Sequence, residues 1–418
     1  MIFETDHRSS MKAFVSTAHY ASTGSRVFNI LNDPSSWGQA RIPRVTSATA
    51  PSKIVLTFDG AERATFVISS WNNELCQVEL VVDGYADDKA RQKLQSYWSE
   101  VLEVLQSRVG KSSFVVASSP GKVNVFFAVG AFLKDGFHEV ASCYQALSLR
   151  EKVAVEMSGS FSISFAGPFA AECRELVPAD ARNLVYKAAL ELKELGAKLR
   201  PEMMSYIIHK SVPIAGGMAG GSADGAAALV ALNGLLEASL EDKLQEAAAR
   251  LGSDVPFSLR GGTAIGVGRG DKLTPIDSSA VLHWVLTPSS EGLSTPDVYR
   301  KLDILRVEAG IDVSKLEQPE VPALLVAALI SGNAYEVAEY MHNDLEIAAL
   351  SLRPGLARVI EAGRKAGALK SMVSGSGPTI AHLALNRLHA EQIVNRLAVV
   401  GLPSFATYTS LDGTRLEN

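Results

Sequence analysis

The run Pro213-Ile214-Ala215-Gly216-Gly217-Met218-Ala219-Gly220-Gly221-Ser222 constrains this chain more than any other stretch. It follows the apolar segment Tyr206-Ile207-Ile208 and leads at once into Ala226-Ala227-Ala228-Leu229-Val230-Ala231-Leu232, an order that reads strand, glycine turn, helix. Glycines let backbone N–H groups approach an anion with no Cβ in the way, and the first turn of a helix carries unpaired donors with a partial positive charge. Ser222 stands where an N-cap is expected. A polyphosphate is the ligand such an arrangement holds. A flexible linker would not end in a strongly helical apolar segment. The run has neither the Gly-Lys-Ser/Thr of a Walker A loop nor the GxGxxG of a dinucleotide fingerprint.

At 418 residues the chain is long enough for two or three domains. Apolar residues at 47% and charged residues at 20% suit a globular enzyme. The net charge of −5, with no lysine- or arginine-rich run, lacks the basic footprint of a nucleic-acid or anionic-membrane binder. Cys76, Cys143 and Cys173 are scattered, which argues against a zinc site or disulfide framework and fits a reducing cytoplasm. The first residues carry no apolar signal-peptide core, and Val321–Ile330 is too short to span a bilayer. A cytoplasmic protein is expected.

The pattern predicts an α+β chain in three parts. Residues 1–112 read as a polar tail (1–10) and then a small unit: a strand at Ala13–Thr17, a helix opening at Ser22 or Thr23, alternating segments at Ile54–Phe58, Ala64–Ile68 and Cys76–Val82, and a closing helix over Asp87–Arg108. Val109–Ser113 reads as a linker. Residues 113–275 begin with strands at Phe114–Ala117 and Val123–Val129 around a turn at Ser119-Pro120-Gly121, then strands at Glu139–Leu149 and Lys152–Met157. Helix signals dominate later, including Ala181–Leu195, Ser222–Leu236 and, within 276–418, a single helix over Tyr335–Ala349. This is not the regular βαβ alternation of a Rossmann fold.

Phosphoryl transfer needs charge neutralisation and a group that orients or deprotonates the attacking hydroxyl. Lys122, opening an apolar strand, and Asp254, in Gly252-Ser253-Asp254-Val255-Pro256, are candidates, although taken alone a solvated edge charge and a turn or cap aspartate are the commoner readings. His138 is either a surface histidine or a partner for a base or sugar, and Tyr299 either core or an aromatic plate. Ser374-Gly375-Ser376-Gly377-Pro378 is a second glycine turn, which either packs against phosphate or reverses the chain. The cluster Gly266–Asp271 reads as a turn between strands, without a ligand.

Together and in this order, Pro120-Gly121-Lys122-Val123-Asn124, Gly216-Gly217-Met218-Ala219-Gly220-Gly221-Ser222 and Gly375-Ser376-Gly377-Pro378 resemble the three motifs of the GHMP kinases. Asp135-Gly136-Phe137-His138, Leu251–Pro256, Ser294–Tyr299 and His342–Glu346 resemble the branch of the non-mevalonate isoprenoid pathway whose acceptor is a cytidine diphosphate-linked alcohol. The resemblance covers residues 113–418. It implies a two-lobed fold, ATP and Mg²⁺ as cofactors, and Lys122 and Asp254 as the catalytic pair. It implies that Pro213, Ile214, Ala215, Gly216, Gly217, Met218, Ala219, Gly220, Gly221, Ser222 and Ala223 wrap the ATP phosphates, with Ser222 near the metal and with Lys210 and Asn183 near the nucleotide. Asn124, Phe137, His138, Thr295 and Tyr299 match positions that hold the cytidine. Two residues depart from the family pattern: Phe137 stands for a tyrosine, and Gly225 for an alanine in the first turns of the loop helix, at about 1 kcal/mol of helix propensity. The front unit resembles the helix-grip (START-like, SRPBCC) domains, which implies a small apolar ligand. Another GHMP kinase and a non-catalytic sensor of the same fold are the alternatives.

Overall fold

Strands with buried and exposed residues in alternation, closed by one long amphipathic helix, form the front of the chain. A computed structural model describes residues 4–5, 13–58, 61–72, 75–110, 113–133, 136–214, 216–289 and 292–417. Ala215 of the glycine run and Asp135 of the Asp-Gly-Phe-His motif lie outside the described residues, as do Lys111 and Ser112 of the expected linker. Contacts divide the chain into two units, Met1–Val116 with Glu417–Asn418, and Ala117–Leu416.

In the first unit β1 (Glu4–Thr5), β2 (Ala13–Tyr20), β3 (Arg44–Thr49), β4 (Lys53–Thr57), β5 (Arg63–Ser70) and β6 (Cys76–Asp83) form one antiparallel sheet in the order β1-β2-β6-β5-β4-β3. Glu4 and Thr5, expected in a loose tail, pair with Val15 and Phe14. The helix α1 (Gly24–Leu31) is capped by Thr23, and α2 (Asp88–Val109) by Asp87, whose side chain accepts from the Ala90 N–H. Leu94, Trp98, Val101, Leu102 and Leu105, at helical spacing, bury one face of α2. The rings of Trp37, Phe58, Phe66 and Tyr97 all pack against Trp98, so aromatic side chains fill the space between sheet and helix.

The second unit opens within the first of two long strands, β7 (Val115–Phe132) and β8 (His138–Met157). The expected turn at Ser119-Pro120-Gly121 is absent, because these residues are buried within β7, whose Lys122 N–H bonds to Met218 O at 3.1 Å. The expected break before Lys152 is absent too. β9 (Ser162–Ala166), α3 (Ala170–Leu176), α4 (Leu184–Glu194), β10 (Met204–His209), α5 (Gly220–Leu235), α6 (Leu244–Leu251), α7 (Val255–Arg260), β11 (Thr263–Gly268) and β12 (Lys272–Ile276) follow. The sheet runs β12-β11-β8-β10-β9, and β8 also pairs with β7.

After these come β13 (His283–Thr287), α8 (Thr295–Glu308), α9 (Ala323–Ser331), α10 (Ala334–Tyr340), β14 (His342–Asn343), α11 (Leu345–Leu352), α12 (Gly355–Lys365), β15 (Lys370–Val373), β16 (Ile380–Ala384), α13 (Arg387–Val399) and β17 (Phe405–Tyr408). A second antiparallel sheet has the order β15-β16-β13-β17. Buried Trp284 of β13 donates its indole N–H to Gln145 Oε1 of β8 at 2.8 Å, tying the two sheets. The single helix expected over Tyr335–Ala349 is broken: β14 pairs in parallel with Phe126 and Phe127 of β7. No described helix is long and apolar enough to cross a membrane.

Candidate active site

The glycine run leaves β10 and enters α5 as expected, but the helix begins two residues early. Its cap position is Ala219, in the left-handed conformation (φ +57°), and Gly220 and Gly221 supply the first helical residues. Ser222, expected as N-cap, therefore stands inside the first turn. The first intrahelical acceptor is Ala219 O, which takes the Ala223 N–H at 2.9 Å, so the N–H groups of Gly220, Gly221 and Ser222 precede the helix's own ladder. Gly217 (φ +71°) lies so close to the second glycine turn that an added Cβ would be 2.3 Å from Ser374 O.

Asn343 holds that second turn. Its Nδ2 donates to Val373 O and Gly375 O, both at 2.8 Å, while its Oδ1 accepts from the Leu345 N–H. Asp344 accepts from the Val129 N–H and meets Arg306 at 3.0 Å, and Glu346 accepts from the Val373 N–H. The segment that interrupts the expected long helix is thus the clamp between β7 and the Gly-Ser-Gly-Pro turn.

Lys122 sits between the two glycine turns. It is 5% exposed; its Nζ donates to Asn124 Oδ1 at 2.6 Å and Gly217 O at 3.1 Å, and stands 3.8 Å from Asp254 Oδ2. Burial lowers its pKa, and the Asp254 charge opposes that shift. Asn124 is fully buried, donating to Ser142 Oγ at 2.7 Å, so it orients the lysine. Asp254 precedes the short helix α7, with its side chain 29% exposed and turned to the same space. The phenols of Tyr144 and Tyr299 are held well above their ordinary pKa, first by burial and then by the Asp254 charge.

Below the start of α5 lies a buried trio. Lys210 Nζ is 2.5 Å from Glu151 Oε1 and 2.7 Å from Asp224 Oδ2, and all three side chains are at most 5% exposed. Glu151 also accepts from the Ser211 N–H at 2.7 Å. Burial pushes the Glu151 carboxyl up to about 8 and raises Asp224, while burial's opposite pull on Lys210 is outweighed by the two carboxylates, which keep it protonated.

One cleft of 440 Å³ is lined by Lys122, Lys210, Pro213, Ile214, the glycines of the loop with Met218 and Ala219, Asp254, Thr295 and Tyr299. Thr295 bonds Ser376 Oγ at 2.9 Å, joining α8 to the second glycine turn. His138 stacks on Tyr299 with ring centroids 5.0 Å apart, its Nε2 3.0 Å from both carboxylate oxygens of Asp303. Phe137 is half exposed beneath the Arg269 guanidinium, 4.8 Å from its ring centroid. Asn183 caps α4 and donates to Pro178 O, away from the cleft lining, and Ser222, Ala223, Asn124, Phe137 and His138 also do not line it.

Sequence reasoning passed over Tyr144, Asp224 and Arg269, all of which line the cleft. Tyr144 lies in an apolar strand and Asp224 in an alanine-rich helix, where no local signal marks them. Arg269 is the cation of the Gly266–Asp271 turn, whose glycines by themselves mark only a chain reversal.

The profile described as GHMP kinases N terminal domain matches residues 183–262, and that described as GHMP kinases C terminal matches 325–400. A Rhodococcus jostii (strain RHA1) protein named 4-diphosphocytidyl-2-C-methyl-D-erythritol kinase is 46% identical over 289 residues, covering 69% of this chain and 89% of the relative. A Mycobacterium tuberculosis protein of the same name is 43% identical, covering 69% and 87%. A crystal structure of 4-(cytidine 5'-diphospho)-2C-methyl-D-erythritol kinase superposes with TM-score 0.56 at 28% identity, over 71% of this chain and 99% of that one. A mevalonate kinase from L. major shares the fold at 17% identity and TM-score 0.55, over 72% and 96%.

Proposed function

The chain belongs to the GHMP kinases, in the 4-diphosphocytidyl-2-C-methyl-D-erythritol kinase branch, and on that premise we propose how its own residues transfer a phosphoryl group from ATP to the 2-hydroxyl of that cytidine diphosphate-linked alcohol. The observation that carries the reading is the single cleft in which Lys122 and Asp254 face the open start of α5. The acceptor oxygen attacks the γ-phosphorus, an O–P bond forms as the bond to the β,γ-bridging oxygen breaks, and ADP leaves with that oxygen. Asp254 takes the hydroxyl proton. Lys122, held by Asn124 and Gly217, keeps Asp254 ionised and neutralises charge on the transferring group.

In this reading Pro213–Ala223 wraps the phosphates through the N–H groups of Gly220, Gly221 and Ser222, with Lys210 toward the nucleotide and Asn183 acting only through its cap of α4. Tyr299 and Phe137 offer rings, and His138 and Thr295 polar groups, to the cytidine end, while buried Asn124 acts there through Lys122. Arg269 joins them as a cation for the diphosphate. Mg²⁺ belongs to the proposal: Asp224, at the cleft, has its Oδ1 buried without a hydrogen-bond partner, a carboxylate oxygen suited to a hard cation shared with phosphate. Ser222 and Asp224 would hold it, and it would supply charge neutralisation at the phosphates. The division into lobes at 113–275 and 276–418, and a cytoplasmic location, are part of the same proposal.

The test is an assay of the purified full chain with ATP and a panel of acceptor alcohols. Turnover of the cytidyl substrate above homoserine, mevalonate and sugars is expected. Absence of cytidyl turnover by a folded protein overturns the reading. For the front unit the proposal is a small apolar ligand, which would enter by displacing some of the rings packed on Trp98. An unchanged Trp fluorescence across a series of fatty acids and sterols would count against it.

A further inference from the structure

Strand β10 and helix α5 run in opposite directions between two ends of the second unit. At one end His209 leads to Lys210 and Gly220 starts α5, which is the phosphate side. At the other end Met204 begins β10, Leu236 caps α5 and Met157 ends β8. A groove of 620 Å³ opens there. It is distinct from the catalytic cleft, and the 16-residue α5 separates them by about 24 Å of helix.

The groove has two chemistries. Its depth is apolar: Leu199 and Met204 are buried, Met203 and Leu236 half-buried, and all four line it. Met157, another lining residue, is 68% exposed and carries the apolar lining out to the rim of the groove. Three thioethers adapt to irregular apolar ligands. Every charged residue of the lining is basic: Lys193, Lys198 and Arg200. Their side chains have no ion-pair or hydrogen-bond partner among the described residues. In a chain of net charge −5 a groove with cations and no carboxylate has a defined selectivity.

Backbone bonds preform the walls. The Ser158 N–H bonds Met203 O at 2.8 Å, the Met203 N–H bonds Arg200 O at 2.9 Å, and the Leu199 N–H bonds Ala197 O at 3.0 Å. A purely apolar ligand would leave the three cations unused, and an inorganic anion would leave the methionines unused. We propose that this groove binds a small anionic amphiphile, an apolar chain ending in a phosphate or carboxylate head. The inference does not depend on the kinase reading, since no groove residue has a role in phosphoryl transfer.

The test is calorimetric titration of the full chain with dodecyl phosphate below its micelle concentration, beside dodecanoate, dodecanol and inorganic phosphate. One of the two anionic amphiphiles is expected to bind at least about tenfold tighter than dodecanol or phosphate, and the stronger of the two identifies the head. The double variant Lys198→Glu/Arg200→Glu, and separately the exposed Met157→Asp, should each weaken it by about tenfold while turnover without amphiphile stays at the wild-type level. Equal binding of dodecanol and dodecyl phosphate, or full binding by both variants, overturns the proposal. So does a dimer in sedimentation that Met157→Asp disperses, because the groove would then belong to a second copy.

Discussion

Lys122 Nζ stands 3.8 Å from Asp254 Oδ2 but 2.6 Å from Asn124 Oδ1, so the lysine is fixed by a neutral amide and only guided by the carboxylate. The arrangement leaves Asp254 its lone pairs for a substrate proton. Asp254→Asn should lower kcat by about 10²–10⁴-fold with the ATP KM nearly unchanged, because the amide keeps shape but accepts no proton. Steady-state kinetics with a melting curve for each variant is the check. Wild-type turnover in the variant would remove Asp254 from the reaction.

Gly217→Ala should damage both stability and nucleotide binding. The residue has φ +71°, and its Cβ would sit 2.3 Å from Ser374 O. The left-handed conformation alone costs an L-residue about 1–2 kcal/mol, and the contact adds to it. Urea unfolding and the ATP KM should both shift; an unchanged pair of values would mean that the two glycine turns do not touch.

Asn343→Asp should be worse than its near-identical shape suggests. The amide donates to two carbonyls, Val373 O and Gly375 O, and a carboxylate would only repel them. Leaving these acceptors unpaired costs about 1–3 kcal/mol each where buried. Asn343→Ala, which lacks the repulsion, should unfold at a higher denaturant concentration than Asn343→Asp. The reverse order would refute the clamp.

Glu151→Gln should flatten the dependence of stability on pH. The Glu151 pKa rises from the ordinary 4.5 to about 8 in the folded state, so the native protein keeps a proton that the unfolded chain has released. Its contribution is full below about 4.5 and is lost as pH rises toward about 8. The wild type should therefore lose more of its Tm across that window than the variant, with Lys210 still paired to Asp224. Parallel Tm profiles for the two proteins would show that Glu151 is ionised throughout.

Gly225 illustrates how local and tertiary terms divide. On propensity it is a poor helix residue, at about 1 kcal/mol against alanine. In the structure its absent Cβ would come within 3.3 Å of Leu184 Cβ, so glycine lets α4 approach α5 tightly. The break at Met341–Asp344 is the same kind of case. The local pattern of 335–349 is helical, but pairing with β7 and the Asn343 and Asp344 bonds, made to partners far along the chain, outweigh it.

By itself the sequence determined the family, through the order of its motifs, and the mixed α+β character and the strand–glycine turn–helix order at 206–235, because glycine spacing and flanking apolar runs are local properties that backbone sterics read directly. It also located α2, since the spacing from Leu94 to Leu105 acts within one helix. Only the tertiary structure decided that β7 runs straight through Pro120, that α5 starts at Gly220, and that Tyr144, Asp224 and Arg269 meet at the cleft. Those outcomes depend on contacts between residues distant in the chain, such as Lys122 with Gly217 and Gly217 with Ser374, whose energies no local pattern records.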